Sequence, residues 1–117
     1  MTFAVGDACE LRTDLGQFDA ILLANLIDRL PDPAACLQQM ARLMRPGGIL
    51  AIVSPYTWLA EFTPEEKWLD ADPLVAIQAL LGERFRQLAT RDLPFVIREH
   101  ARKYQWSVAQ ASVWTCA

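Results

Sequence analysis

The 117 residues suffice for one small domain, and 53% hydrophobic with 21% charged residues is the composition of a globular chain, which excludes intrinsic disorder. A net charge of −3 gives no electrostatic ground for nucleic acid or an anionic membrane surface as a partner. No apolar run approaches the ~18–20 residues that cross a bilayer, and Met1–Asp7 carries neither a basic region nor a cleavage site, so a cytoplasmic location is expected.

Phe3-Ala4-Val5 is a short apolar stub ending at Gly6-Asp7. Phe18-Asp19-Ala20-Ile21-Leu22-Leu23-Ala24 is a continuous apolar run, the pattern of a strand buried on both faces by flanking helices. Asp32-Pro33 pairs an N-cap acceptor with a proline at the first helical position. Leu37, Met40, Ala41 and Met44 then form one apolar, core-facing helical stripe. Arg45-Pro46-Gly47-Gly48 stops that helix, because proline cannot continue it and glycine accepts a positive φ. Ile49–Val53 is a second buried strand, opening through Ser54-Pro55-Tyr56 into a polar and aromatic loop with Trp58, Phe62 and Trp68. Asp72-Pro73 repeats the helix start, with Leu74, Ile77, Leu80 and Leu81 inward and Gly82 as the stop. Phe85–Leu93 and Tyr104–Cys116 are rich in β-branched and aromatic residues and predict two antiparallel terminal strands. Pro94–Lys103 between them is open between a loop, a bend and a short helix. Alternating strands and helices predict an α/β sheet of mainly parallel type closed by a hairpin.

Cys9, Cys36 and Cys116 are odd in number and scattered, which predicts reduced thiols. His100 is the only histidine, so a His-based metal cluster is excluded, and a Cys-only one lacks paired spacing.

Three segments in this order carry a resemblance: Gly6-Asp7-Ala8, Phe18-Asp19 leading to Ala24-Asn25-Leu26, and Leu43-Met44-Arg45-Pro46-Gly47-Gly48-Ile49-Leu50. Together with the terminal hairpin they resemble the class I S-adenosylmethionine-dependent methyltransferases, a Rossmann-like α/β fold. Four longer stretches narrow the match: Ala24-Asn25-Leu26-Ile27-Asp28-Arg29-Leu30, Ser54-Pro55-Tyr56-Thr57-Trp58-Leu59, Glu61-Phe62-Thr63-Pro64 and Leu93-Pro94-Phe95-Val96-Ile97-Arg98-Glu99. These are similar to the methyltransferase domain of ovothiol biosynthesis, which is often fused behind a sulfoxide synthase domain. The resemblance covers essentially the whole chain. It implies transfer of a methyl group from S-adenosyl-L-methionine to an imidazole nitrogen of mercaptohistidine.

The family's glycine-rich loop and its second-strand acidic residue have no counterpart here, because the sequence starts where the family's third strand is expected. Residues 1–117 are therefore expected to be the C-terminal part of a single methyltransferase domain lacking strands 1 and 2. The Phe18 strand is then an exposed apolar edge, poised to pair with upstream chain or with another polypeptide.

The resemblance implies cofactor-binding roles for Asp7, Ala8, Asn25 and Leu26, with Asp7 accepting from the adenine amino group. A turn-forming aspartate after a strand is the competing reading for Asp7. Asn25 and Tyr56 are the candidate catalytic residues, at strand ends where open α/β sheets bind ligands. Asp28, Arg29, Tyr56, Trp58 and Arg98 are the candidate substrate-binding residues. For Asp28 and Arg29 a solvated ion pair, and for Tyr56 and Trp58 plain packing, stand as alternatives. Arg98 suits a bidentate carboxylate clamp or a surface ion pair, and His100 is expected to be a bystander. Other open readings are a methyltransferase of another small molecule, and an inactive accessory chain that binds through its open sheet edge.

Overall fold

The computed structural model describes residues 1–69 and 71–117. A four-stranded sheet is built from β1 (Phe18–Ala24), β2 (Met44–Ser54), β3 (Phe85–His100) and β4 (Lys103–Cys116), in the order β1-β2-β4-β3. β1 and β2 are parallel, with Ala20–Ala24 in register with Ile49–Val53. β4 runs antiparallel to both β2 and β3, so the terminal hairpin closes the sheet with β3 outermost.

Three short helices cover one face: α1 (Pro33–Gln38), α2 (Met40–Leu43) and α3 (Pro73–Leu81). Both Asp-Pro starts act as read from the sequence. Asp32 Oδ1 accepts from the Ala35 N–H at 3.2 Å and Asp72 Oδ1 from the Val75 N–H at 3.4 Å. Gly82 ends α3 at φ +91°. The core between helices and sheet contains Leu37, Met40, Met44, Leu50, Ile52, Ile77 and Trp114, all essentially inaccessible to solvent. The Trp114 indole N–H donates to Ser112 Oγ at 3.0 Å, which satisfies the polar edge of the largest buried side chain.

Several expectations need correction. The Phe3–Val5 stub forms no strand; it pairs with none of the described residues, and Phe3 and Val5 are fully exposed. An apolar tripeptide becomes a strand only when a neighbour supplies the ladder. The Phe18–Ala24 run is not covered on both faces: Leu23 is buried, whereas Leu22 is 65% exposed on the face that α1–α3 leave open. The predicted helix up to Met44 breaks at Gln39 into α1 and α2. Gln39 instead ties the N-terminal segment down, its amide donating to the carbonyls of Ala8 and Cys9 while its Oε1 accepts from the Leu11 N–H.

Arg45-Pro46-Gly47-Gly48 is not a turn outside the strand but a bulge within β2. The register jumps from Phe18 opposite Met44 to Ala20 opposite Ile49. Gly47 sits at φ +81°, and a Cβ on Gly48 would stand 2.9 Å from the Arg45 carbonyl and 3.0 Å from that of Asp19. Both positions therefore require glycine. Finally, Pro94–Lys103 is none of the three conformations left open. β3 continues through Pro94 to His100 and turns back at Ala101-Arg102. Proline is tolerated there because β3 is an edge strand, where a missing donor need not break the ladder. All three thiols are unpaired, as read from their spacing.

Candidate functional site

β1 and β2 end side by side, and at both ends the backbone is forced into the left-handed region. Asn25 lies at φ +51° and Tyr56 at φ +55°. Asparagine visits this region readily, but a bulky tyrosine does so at a cost of ~1–2 kcal/mol that the surroundings must hold in place. Tyr56 is anchored at both ends: its N–H donates to Ser54 Oγ at 3.0 Å and its hydroxyl to Gln110 Oε1 at 2.8 Å. Burial pushes the Tyr56 phenol up to about 12, which keeps it a neutral donor near pH 7. Asn25 is fixed by its own N–H, which donates to the Val53 carbonyl at 2.7 Å.

A short 3₁₀ turn, Ile27–Arg29, follows Asn25 and aims two charged residues at the loop after β2. Asp28 is 1% exposed, and its Oδ2 accepts from the Thr57 N–H at 3.0 Å and from Arg29 Nη1 at 3.3 Å. Arg29 Nη1 also donates to the carbonyls of Asp28 and Thr57, and the guanidinium lies 5.6 Å from the centre of the Phe62 ring. The pair is thus not a solvated surface contact. It clamps the end of β1 to the loop leaving β2, and a buried carboxylate of this kind must be partnered. Further along that loop, Thr63 is fully buried, its hydroxyl donates to the Leu30 carbonyl, and its own carbonyl accepts from the Trp68 indole.

Over these strand ends stands the far half of the hairpin. Strand alternation places Phe95, Ile97, Gln105 and Ser107 on its inner face, because Phe95 is paired with Ser107 and Ile97 with Gln105. With Asn25, Asp28, Arg29, Pro55 and Thr57 they enclose a cavity of about 200 Å³. On the other side of the β1 tip an apolar groove of about 350 Å³ runs beside the strand, lined by Ala8, Leu15, Phe18, Leu26 and Met40 among others. Asn25 and Leu26 are consecutive, so the strand end divides the polar cavity from the apolar groove.

Of the residues singled out from sequence, Asn25, Asp28 and Arg29 come together in the cavity, while Ala8 and Leu26 line the groove. Asp7 is exposed at the mouth of the N-terminal turn, where its Oδ1 accepts from the Cys9 N–H at 2.9 Å. Tyr56 points away from the cavity toward β4, and Trp58 does not line it. Arg98 is paired with Tyr104 and lies, with it, on the opposite face of the ribbon. His100 sits at the hairpin tip, its Nδ1 accepting from the Arg102 N–H at 3.2 Å. Sequence reasoning missed Phe95, Ile97, Gln105 and Ser107. The signal that marks them is the alternation of Tyr104, Trp106 and Val108 with Gln105 and Ser107.

A family model described as a methyltransferase domain matches residues 1–112. Among solved structures, the chain is similar to one from work on the conversion of a disulfide bond into a thioacetal group during echinomycin biosynthesis. The TM-score is 0.68 at 18% identity, covering 97% of this chain and 55% of that one. A SAM-dependent methyltransferase from Methanosarcina mazei matches with a TM-score of 0.66 at 17% identity, covering 97% and 66%. The N-terminal domain of EvdMO1, with SAH bound, matches with a TM-score of 0.53 at 22% identity, covering 97% and 52%. At these identities the likeness is one of fold. The chain spans between 52% and 66% of the length of the structures it matches.

Proposed function

The chain belongs to the methyltransferase domain family, and from that premise we propose that it carries out S-adenosylmethionine-dependent methylation of an imidazole ring nitrogen, with the mercaptohistidine of ovothiol biosynthesis as acceptor. The observation that carries this reading is the pairing of a polar cavity and an apolar groove across the Asn25–Leu26 strand end. Ligands of open α/β sheets bind beyond the carboxyl ends of the strands. The SAH in the EvdMO1 domain supports S-adenosylmethionine as the cofactor.

The residues present suit the adenosyl end of that cofactor. The exposed Asp7 carboxylate has capacity to accept from an adenine amino group, and Ala8 and Leu26 offer apolar contact. The amino-acid end needs close backbone approach, and none of the five glycines stands at the C-terminal end of a strand. β1 is an edge strand with a free ladder, and a segment pairing there is the proposed source of that cradle. It is either a further part of the same methyltransferase domain or another chain.

When bound, the cofactor supplies an electrophilic sulfonium methyl. The chain's task is then alignment, which contributes up to ~7–11 kcal/mol in favourable cases. Asn25, held in the left-handed conformation, faces the reacting centre. The Asp28–Arg29 clamp holds the two strand ends at a fixed separation. A neutral imidazole already offers a lone pair, so a strong general base is not required, and Tyr56, held protonated, is not one.

Calorimetric titration of S-adenosylhomocysteine into the purified chain, with its solution mass recorded, tests the reading. Micromolar binding once the β1 edge is paired, by self-association or by an added segment, followed by methyl transfer to mercaptohistidine, is the expected result. A folded sample with that edge paired that still binds no S-adenosylhomocysteine favours the second reading, an accessory chain acting through the β1 edge. Where binding is present, Asp7→Ala is expected to weaken it by about 1–3 kcal/mol, the range for a charge-assisted hydrogen bond.

A further inference from the structure

The cavity's polar side chains divide into two groups. Asp28 and Arg29 are engaged with each other and with the Thr57 backbone. Among the described residues, no hydrogen bond engages the side chains of Asn25, Gln105 or Ser107, although all three line the cavity. Asp28 and Arg29 offset one another, so the lining carries no net charge, and its other polar side chains, Asn25, Thr57, Gln105 and Ser107, are neutral. At about 200 Å³ the cavity falls below the ~300 Å³ at which drug-sized sites begin, which fits a single small ring with a short substituent. Phe95 and Ile97 supply apolar contact on one strand of the ribbon, and Gln105 and Ser107 supply donors and acceptors on the other.

We infer that Gln105 and Ser107 on the hairpin's inner face are the acceptor-recognition residues, and that they select a neutral azole ring through its N–H group. This inference rests on the methyltransferase reading for its acceptor ring, and on the cavity for the residues that hold that ring. A neutral imidazole has one N–H donor and one lone-pair nitrogen. The Gln105 carbonyl accepting the N–H fixes the tautomer and leaves the other nitrogen's lone pair free for the incoming methyl. The Gln105 amide and the Ser107 hydroxyl remain for a ring substituent. An imidazolium carries two N–H groups and a charge, and a lining in which Arg29 already offsets Asp28 supplies no net negative charge to balance it, so it is rejected. The side chains of Arg29 and Asp28 act as structural supports for this site and not as clamps for the acceptor's own charges.

The test is a titration of the whole chain with imidazole, followed by side-chain amide resonances in nitrogen-15 NMR. It is run at about pH 8.5, where the ring is neutral, and at about pH 5, where it is charged. The Gln105 and Asn25 amide signals are expected to shift at the higher pH and to stay in place at the lower. Gln105→Leu and, separately, Ser107→Ala are expected to weaken imidazole binding, the former by about tenfold. Trp106→Ser, on the outer face of the same strand, is expected to leave it unchanged. Gln105 is exposed, so its replacement does not threaten folding. Equal affinity in Gln105→Leu and the parent chain, or stronger binding of the charged ring, overturns the inference. A parallel titration with S-adenosylhomocysteine separates the two readings. Loss of that ligand alone removes the cofactor assignment, and loss of imidazole alone removes this one.

Discussion

The two halves of the terminal hairpin are made of the same two strands, yet physics uses them differently. In the near half, from Phe85 opposite Cys116 to Asp92 opposite Gln110, β4 is also paired with β2, and its inward residues enter the core. Trp114 there is wholly buried. In the far half, β4 has left β2 behind and the pair is a bare two-stranded ribbon with Val96, Tyr104 and Trp106 well over half exposed on its outer face. A two-stranded ribbon is marginal by itself and borrows its shape from the sheet that roots it. The lesson is a division of labour along one element: the near half holds the fold, and the far half can spend its side chains on a ligand.

The sharpest way to break that division is Trp114→Ala, expected to cost about 3–5 kcal/mol in denaturant unfolding through the cavity it leaves. A similar cost from Trp106→Ala would erase the distinction. Asp28→Ala removes the buried partner of Arg29 and of the Thr57 N–H. With Arg29 itself partly solvated, a loss of about 2–3 kcal/mol is expected. Gly48→Ala sets a Cβ against two backbone carbonyls and is expected to lower stability by about 1–2 kcal/mol. Outer-face changes such as Arg98→Ala should stay within about 0.5 kcal/mol, as surface substitutions do.

A pH titration reaches the Tyr56 anchor at the boundary between the halves and the buried Cys36 of α1. Tyr56 is pushed up to about 12 by burial, and Cys36 to about 11 by burial and then by the neighbouring Cys9. Both groups ionise first in the unfolded chain. Their contribution is therefore whole below about pH 9 and is lost as pH rises, for Cys36 between about 9 and 11 and for Tyr56 between about 10 and 12. Denaturant midpoints measured across that range should fall, and Tyr56→Phe should flatten the upper part of the fall. A midpoint that rises above pH 10 contradicts the burial argument.

Some of this was legible in the residues. Asp32-Pro33 and Asp72-Pro73 fixed two helix starts, because capping is local chemistry that a sequence displays. The apolar runs located β1 and β2, but the sheet expected to be mainly parallel is mixed, with one parallel pairing and two antiparallel ones, because the long hairpin supplies half of its strands. The continuous Phe18–Ala24 run concealed that one face lies open, since leucines at 22 and 23 look alike whichever is buried. The structure brings Asn25, Asp28 and Arg29 to one cavity, but the engagement of the ion pair there depends on the Thr57 backbone, far away in sequence. Alternation sets Gln105 and Ser107 on one face of the strand, but nothing local says what that face meets, so they escaped notice. They matter only where the hairpin crosses the strand ends.

By itself the sequence determined the elements whose cause is local: capped helix starts, apolar strands and the family likeness they compose. The tertiary structure alone decided which face of each strand is covered, how far the hairpin projects and which polar groups remain free to meet a ligand. Periodicity and caps act through neighbours along the chain, whereas burial, pairing and hydrogen-bond commitment are set by residues that only folding brings within reach.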